Sequence, residues 1–171
     1  MALVMLTTRG TAACVSDAAP AASVKAAFLY NFVKFADWPA LGPGAPILLC
    51  VVGDDQIADA LIETVRGETH NGHALEVARP RDTAGWRGCH LLFIADADMR
   101  RAGDALGGLK SVPILTVSDG LGFSEATGII ELYVQNGRMH FAINVDAAEH
   151  AGVRLSSRLL GLAKVRSVHA Q

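Results

Sequence analysis

Apolar residues recur at helical spacing through the segment SVKAAFLYNFVKFADWP, where Val24, Phe28, Phe32 and Phe35 share one face and Leu29 and Val33 lie beside them. Ser23 is placed to cap this first helix and Pro39 to stop it. Beyond the loop at 42–46 the period changes. Ile47–Val52 is a continuous apolar run that reads as a strand, and Ile57, Leu61 and Val65 give the next helix its stripe. Residues 74–78, after the Asn71-Gly72 turn, and residues 90–95 read as further strands. Met99, Ala102, Leu106 and Leu109 mark a helix leading to a strand at 112–118. Apolar strands alternating with amphipathic helices predict an α/β domain with a mostly parallel sheet covered on both faces, a Rossmann-like three-layer arrangement.

The pattern then switches to strict alternation on either side of Asn136-Gly137, a pair that accepts the positive φ angles of a type I′ hairpin. A two-residue turn pairs Val134 with Met139, Leu132 with Phe141 and Ile130 with Ile143, so these six apolar residues face one side. Glu131, Tyr133 and Gln135, with Arg138, His140 and Ala142, line the other, half-wet face. The hairpin is expected to add antiparallel strands at the sheet edge. Asn144 or Asp146 is placed to cap a short helix ending near Gly152, and RLSSRLLGLAKV, with Leu155, Leu159 and Leu162 along one side, reads as a last helix.

With 171 residues, 51% apolar and 19% charged, the chain suits a single globular domain with a sizeable core. Its net charge of −2, from 15 basic and 17 acidic residues with no Lys/Arg cluster, gives no broad attraction for nucleic acid or anionic lipid. Residues 1–22 differ from the rest. They read as the remnant of an export signal or as a disordered tail, which leaves 23–171 as the domain. Cys14 follows Thr11-Ala12-Ala13, without the large aliphatic residue that precedes a lipid-modified cysteine, and reads as unlipidated. No stretch approaches the roughly 18 apolar residues needed to span a bilayer, so direct membrane insertion is not expected.

Candidate chemistry is sparse. Asp54 and Asp55 follow the first strand, Asp96 and Asp98 follow LLFIA, and Ser118 closes PILTVS, the placement of a phosphoacceptor receiver site or of a small-ligand site at a sheet's carboxyl edge. A receiver also needs a lysine at the end of its last strand, and GFSEATGIIELYVQNG contains none. Capping of the helices that begin at Gln56 and Met99 is the plainer role for these aspartates. Gly120, Gly122 and Gly128 match no phosphate-binding motif and read as turn glycines. His70 and His73 lack accompanying ligands for a metal and read as solvent-exposed. Ser156 and Ser157, beside Arg154 and Arg158, have no activating base at motif spacing and read as a helix start. Trp38 reads as a lid on the core, and Trp86 as a lid or an anchor for a partner. No catalytic residue, metal or cofactor is expected.

Five segments in order, VKAAFLYNFVKFADWP, LLCVVGDD, CHLLFIAD, PILTVSDGLGF and FAINVDAAEHAGVRLSSRLLGLAKV, resemble the YfiR-like family of bacterial periplasmic regulatory proteins from Ser23 to Val165. The resemblance implies a non-catalytic periplasmic protein. It further implies binding to the periplasmic sensor domain of an inner-membrane signalling enzyme, most often a diguanylate cyclase, and repression of it, with an outer-membrane partner able to sequester the inhibitor. A homodimer is a further expected assembly. Cys50 and Cys89 fall where the family's linked pair lies, so the resemblance implies a disulfide between them. On the residues alone, neighbouring strands about 4.8 Å apart allow that bridge, and two buried free thiols are the alternative. Glu131, Tyr133, Arg138, His140 and Trp86 are the residues expected to meet a partner.

Overall fold

The computed structural model describes residues 18–38 and 41–166. The first helix, α1, spans Ala18–Lys34, so Ser23 lies inside it and is not its cap. Its buried face is set by Ala22, Ala26, Leu29, Phe32 and Val33, whereas Val24 is 43% exposed. Small alanines on the inner side let α1 approach closely. The wider apolar stripe read from the phenylalanines was therefore rotated from the true one. Residues 1–17, including Cys14 and most of the expected export remnant, and Pro39 lie outside the described residues.

The chain continues through β1 (Ala36–Asp37), β2 (Ile47–Val52), α2 (Asp55–Val65), β3 (Thr69–His70), β4 (His73–Ala78), a 3-10 turn at Thr83–Gly88 and β5 (Leu91–Ile94). Next come α3 (Met99–Gly107), β6 (Leu115–Ser118), α4 (Phe123–Ala126), β7 (Ile130–Gln135), β8 (Arg138–Asn144) and α5 (Val145–Ala151). The described chain closes with β9 (Arg154–Leu155), α6 (Ser157–Leu160) and β10 (Lys164–Arg166). Eight strands form one sheet in the order β10-β8-β7-β6-β5-β2-β4-β3, and β1 pairs with β9 apart from it. The sheet is mixed. Strands β4, β2, β5, β6 and β7 are mutually parallel, β8 is antiparallel to β7, β10 is parallel to β8, and β3 is antiparallel to β4.

Side chains alternate across the sheet and so divide the interior into two cores. Leu49, Val51, Leu91, Phe93, Leu115 and Val117 point to the side covered by α1 and α2. Cys50, Leu92 and Ile94 point to the opposite side, with Trp86, Ala102, Leu106 and Phe123. Strands buried on both faces are expected to read as unbroken apolar runs, as ILLCVV and LLFI do.

The hairpin forms in the expected register, with Ile130 opposite Ile143, Leu132 opposite Phe141 and Val134 opposite Met139. Asn136 and Gly137 adopt φ of 52° and 70°, as a type I′ turn requires. Phe141 carries the hairpin onto α1, its ring 5.1 Å from that of Phe32 and 5.9 Å from that of Phe28. Two expectations fail at the carboxyl end. The hairpin is not the sheet's edge, because β10 pairs with β8 from Lys164–Ala142 to Arg166–Asn144. Nor does a full last helix form. Helix α6 stops at Leu160 before Gly161, Leu155 pairs with Ala36 in β1, and Leu162 is 70% exposed. Backbone groups on the outer side of β8 need partners, and pairing with β10 outweighs a weak leucine period interrupted by glycine.

Candidate functional site

The carboxyl edge of the sheet gathers the aspartates singled out in the sequence and assigns them different duties. Asp54 caps α2, its Oδ1 accepting from the Ile57 amide at 3.0 Å. Asp55 and Asp59 pair with Arg79 from the end of β4. Asp98 makes no capping bond to α3 and instead lies 3.5 Å from Arg101. Its carboxylate also sits against Gly53, where φ is +84° and an added Cβ would meet Asp98 Oδ2 at 2.1 Å, so only glycine fits. The capping role therefore holds for Asp54 and fails for Asp96 and Asp98. The Asp96 amide donates to Asp119 Oδ1 at 2.8 Å, and Lys25 of α1 pairs with the other oxygen of Asp119. Ser118 is buried and its hydroxyl accepts from the Gly120 amide at 3.0 Å. Among the described residues, no three His, Cys, Asp or Glu side chains converge as a metal-ligand set.

Cys50 and Cys89 are joined, with Cα atoms 5.8 Å apart and 39 residues between them in sequence. Cys50 lies opposite Leu92 across β2 and β5, and Cys89, which ends the 3-10 turn two residues before β5, packs in the same apolar cluster as Cys50. Trp86 covers it and is only 4% exposed, so the side chain is part of the core and is withdrawn from the set of partner contacts. Trp38 is half-buried, donates its indole N–H to the Val33 carbonyl at 3.3 Å and meets His90 edge-on. His90 accepts the Leu48 amide at Nδ1, 3.0 Å away. Burial holds its pKa below the usual imidazole value, with a further lowering from His73. His70 and His73 are half-buried, not solvent-exposed as expected. The His73 imidazole bonds the Ala45 carbonyl at 2.7 Å, and burial lowers the pKa of His70 first, before Lys34.

At the hairpin, exposure depends on position along the strands as much as on facing. Glu131, expected on the wet face, is 3% exposed because β7 is flanked on both faces at its base. Its carboxylate accepts from the Ser124 amide at 3.1 Å and the Ser124 hydroxyl at 2.8 Å. Asn144 donates to the Ser124 carbonyl at 2.8 Å and caps α5 by accepting from the Ala147 amide at 2.9 Å. Glu131 is thereby withdrawn from the surface and becomes the centre of a polar joint between α4, the hairpin and α5. The tip behaves oppositely. Tyr133 and His140 stack with ring centroids 5.7 Å apart, Arg138 is exposed, and Val134, expected to face the core, is 65% exposed. Of the expected contact residues, Tyr133, Arg138 and His140 come together at this tip.

Sequence reasoning missed Lys25, Asp119, Ser124 and Gly128. The first two lie 94 residues apart. Gly128 carries the close approach of Phe123, whose ring leaves 2.0 Å for an added Cβ. A conformational reading as a turn glycine gave no hint of that contact.

Among the described residues, no helix is long and apolar enough to cross a membrane. One solved structure, titled as a conserved domain protein from Vibrio cholerae O1 biovar El Tor, aligns with 85% of this chain at 12% identity and a TM-score of 0.45. The aligned region spans 60% of that protein's chain. The family model described as YfiR/HmsC-like matches residues 22–164. That match runs from α1 to the start of β10 and takes in both cores, the disulfide and the hairpin: the chain belongs to the YfiR/HmsC-like family.

Proposed function

We propose that this chain is a non-catalytic periplasmic protein that binds the periplasmic sensor domain of an inner-membrane diguanylate cyclase and holds the enzyme inactive. Family membership across residues 22–164 carries the reading, because the family's role is control of signalling. The hairpin tip supports a contact role. Tyr133, Arg138 and His140 offer aromatic and cationic groups on one face of the tip and Val134 is exposed on the other, a mixture suited to a specific and partly polar interface. Repression further demands that binding favour the inactive state of the cyclase, since equal affinity for both states shifts nothing. An outer-membrane partner that sequesters the chain, or a homodimer that hides the tip, would relieve the repression.

Deleting the gene in its host is expected to raise cyclic di-GMP and surface attachment. Complementation with the wild-type chain should restore both, and complementation with R138E/H140E should not, although that variant reaches normal levels. Unchanged nucleotide in a strain whose periplasm-sensing cyclase is demonstrably expressed would defeat the cyclase reading.

A further inference from the structure

Trp86 presents an unresolved demand. Its indole Nε1 is the one buried side-chain nitrogen or oxygen among the described residues that finds no hydrogen-bond partner. Buried polar groups are nearly always satisfied, and an exception calls for a missing partner. Trp86 also lines a crevice of 460 Å³ at the carboxyl edge of the sheet, within the about 300–1,000 Å³ typical of small-molecule clefts. Gly53 at the end of β2, Arg81 and Asp82 beyond β4, and Asp98 and Arg101 after β5 complete the lining used in this argument.

Topology marks the same place. Among the parallel strands, β2 is first in the chain, β4 lies on one side of it and β5 on the other. Chain order thus reverses between β2 and β5, and open α/β sheets take their ligands in the crevice outside the carboxyl ends at such a point. The charges of the crevice are unevenly committed. Asp82 Oδ1 accepts the Gly85 amide at 3.1 Å, and Asp98 is paired with Arg101 at 3.5 Å. Arg81 has no carboxylate partner among the described residues. A guanidinium without a partner and an indole N–H without an acceptor ask for the same thing, an oxygen bearing negative charge.

We propose that this crevice binds a small molecule through an oxyanion group, a carboxylate or a phosphate, with Arg81 supplying the opposing charge and Trp86 donating its indole N–H to one oxygen. The aspartates restrict the ligand to one whose remaining surface tolerates negative neighbours, which favours a compact anion over a polyanion. The site is separate from the hairpin tip and does not depend on the partner assigned to it.

The test uses the full, oxidised chain labelled with ¹⁵N. Its two tryptophans give two indole N–H signals, and that of Trp38, already bonded to the Val33 carbonyl, is the internal control. Titration with inorganic phosphate or with succinate should move the Trp86 signal saturably and leave that of Trp38 in place. Whichever anion saturates at the lower concentration identifies the headgroup as phosphate or carboxylate. R81A, a change at an exposed residue, should weaken binding by about tenfold or more, the loss expected for one charge-assisted contact. A Trp86 signal that ignores both anions, or that shifts equally in R81A or with sodium chloride at matched ionic strength, would overturn the proposal. So would a persistent contact between the indole proton and an ordered water that neither anion displaces.

Discussion

Two regions of the sheet are held by different means. Around β2 and β5 a covalent bridge sits inside an apolar cluster, with Cys50 and Cys89 packed among Trp86, Leu92 and Leu106. Around β7 and β8 the joint is a buried carboxylate satisfied by Ser124, with Asn144 completing the connection to α5. The first device acts mainly by restricting the unfolded chain, and the second acts only once the native geometry exists. The contrast suits a domain whose middle is fixed in the sheet and whose hairpin is the contact proposed above.

Removing the bridge should have the largest effect. For C50A/C89A the chain-entropy model gives a loss of about 4 kcal/mol for a loop of this length, read as a lowered denaturation midpoint in urea. A change of under about 1 kcal/mol would mean that the unfolded chain is already restrained there. E131A comes next. It strips two donors of a buried charged acceptor and should cost about 2–3 kcal/mol, measured in the same titration. Because the two devices share no partner, C50A/C89A/E131A should lose the sum of both within about 0.5 kcal/mol. A larger departure would show that the regions are coupled and would break the comparison.

Acid should act on the half of the sheet that carries β2, β3 and β4. His90 and His70 have folded pKa values lowered, by burial first, with His73 and, for His70, Lys34 adding to it and Asp37 opposing it. The unfolded state therefore binds more protons as pH falls through about 6.5, the ordinary imidazole value, and stability is lost below that point. Protonation of Nδ1 also removes the acceptor of the Leu48 amide. H90N, which keeps an acceptor that does not titrate, should flatten the dependence of melting temperature on pH between about 7 and 5; an unchanged slope would assign the effect elsewhere. The smallest expected stability change is at the tip. Y133A and H140A should each lie within about 0.5 kcal/mol of the parent, while Y133A/H140A lowers affinity for the cyclase sensor domain in a pull-down. A double variant that binds normally would leave the tip without a role.

Legibility in the sequence follows the range of the interactions involved. The hairpin register was readable because a two-residue turn fixes every rung after it, and all three expected pairs are present. The apolar runs of β2 and β5 were readable because burial on both faces leaves a local mark. Strand β10 was not, since three residues carry little pattern and their pairing depends on β8, 22 positions earlier in register. Glu131 alternates in step with Tyr133 and Gln135, and only the arrival of Ser124 from α4 shows that its end of the strand is dry. The disulfide was suggested by family resemblance and made possible by the pairing of β2 with β5 and by the 3-10 turn that carries Cys89. The demand at Trp86 is visible only in three dimensions.

Three rungs of β10 clamp the base of β8, and the strand beyond them toward Asn136 has no neighbour on that side among the described residues. The hairpin is in effect a beam fixed at one end. A load applied at Tyr133 and His140 bends it about the clamp, and the moment falls on Asn144, whose side chain grips both the first turn of α5 and the carbonyl of Ser124. Occupancy of the tip would then be felt as torque at α4 and α5, through Asn144, without any movement of the disulfide-bonded half.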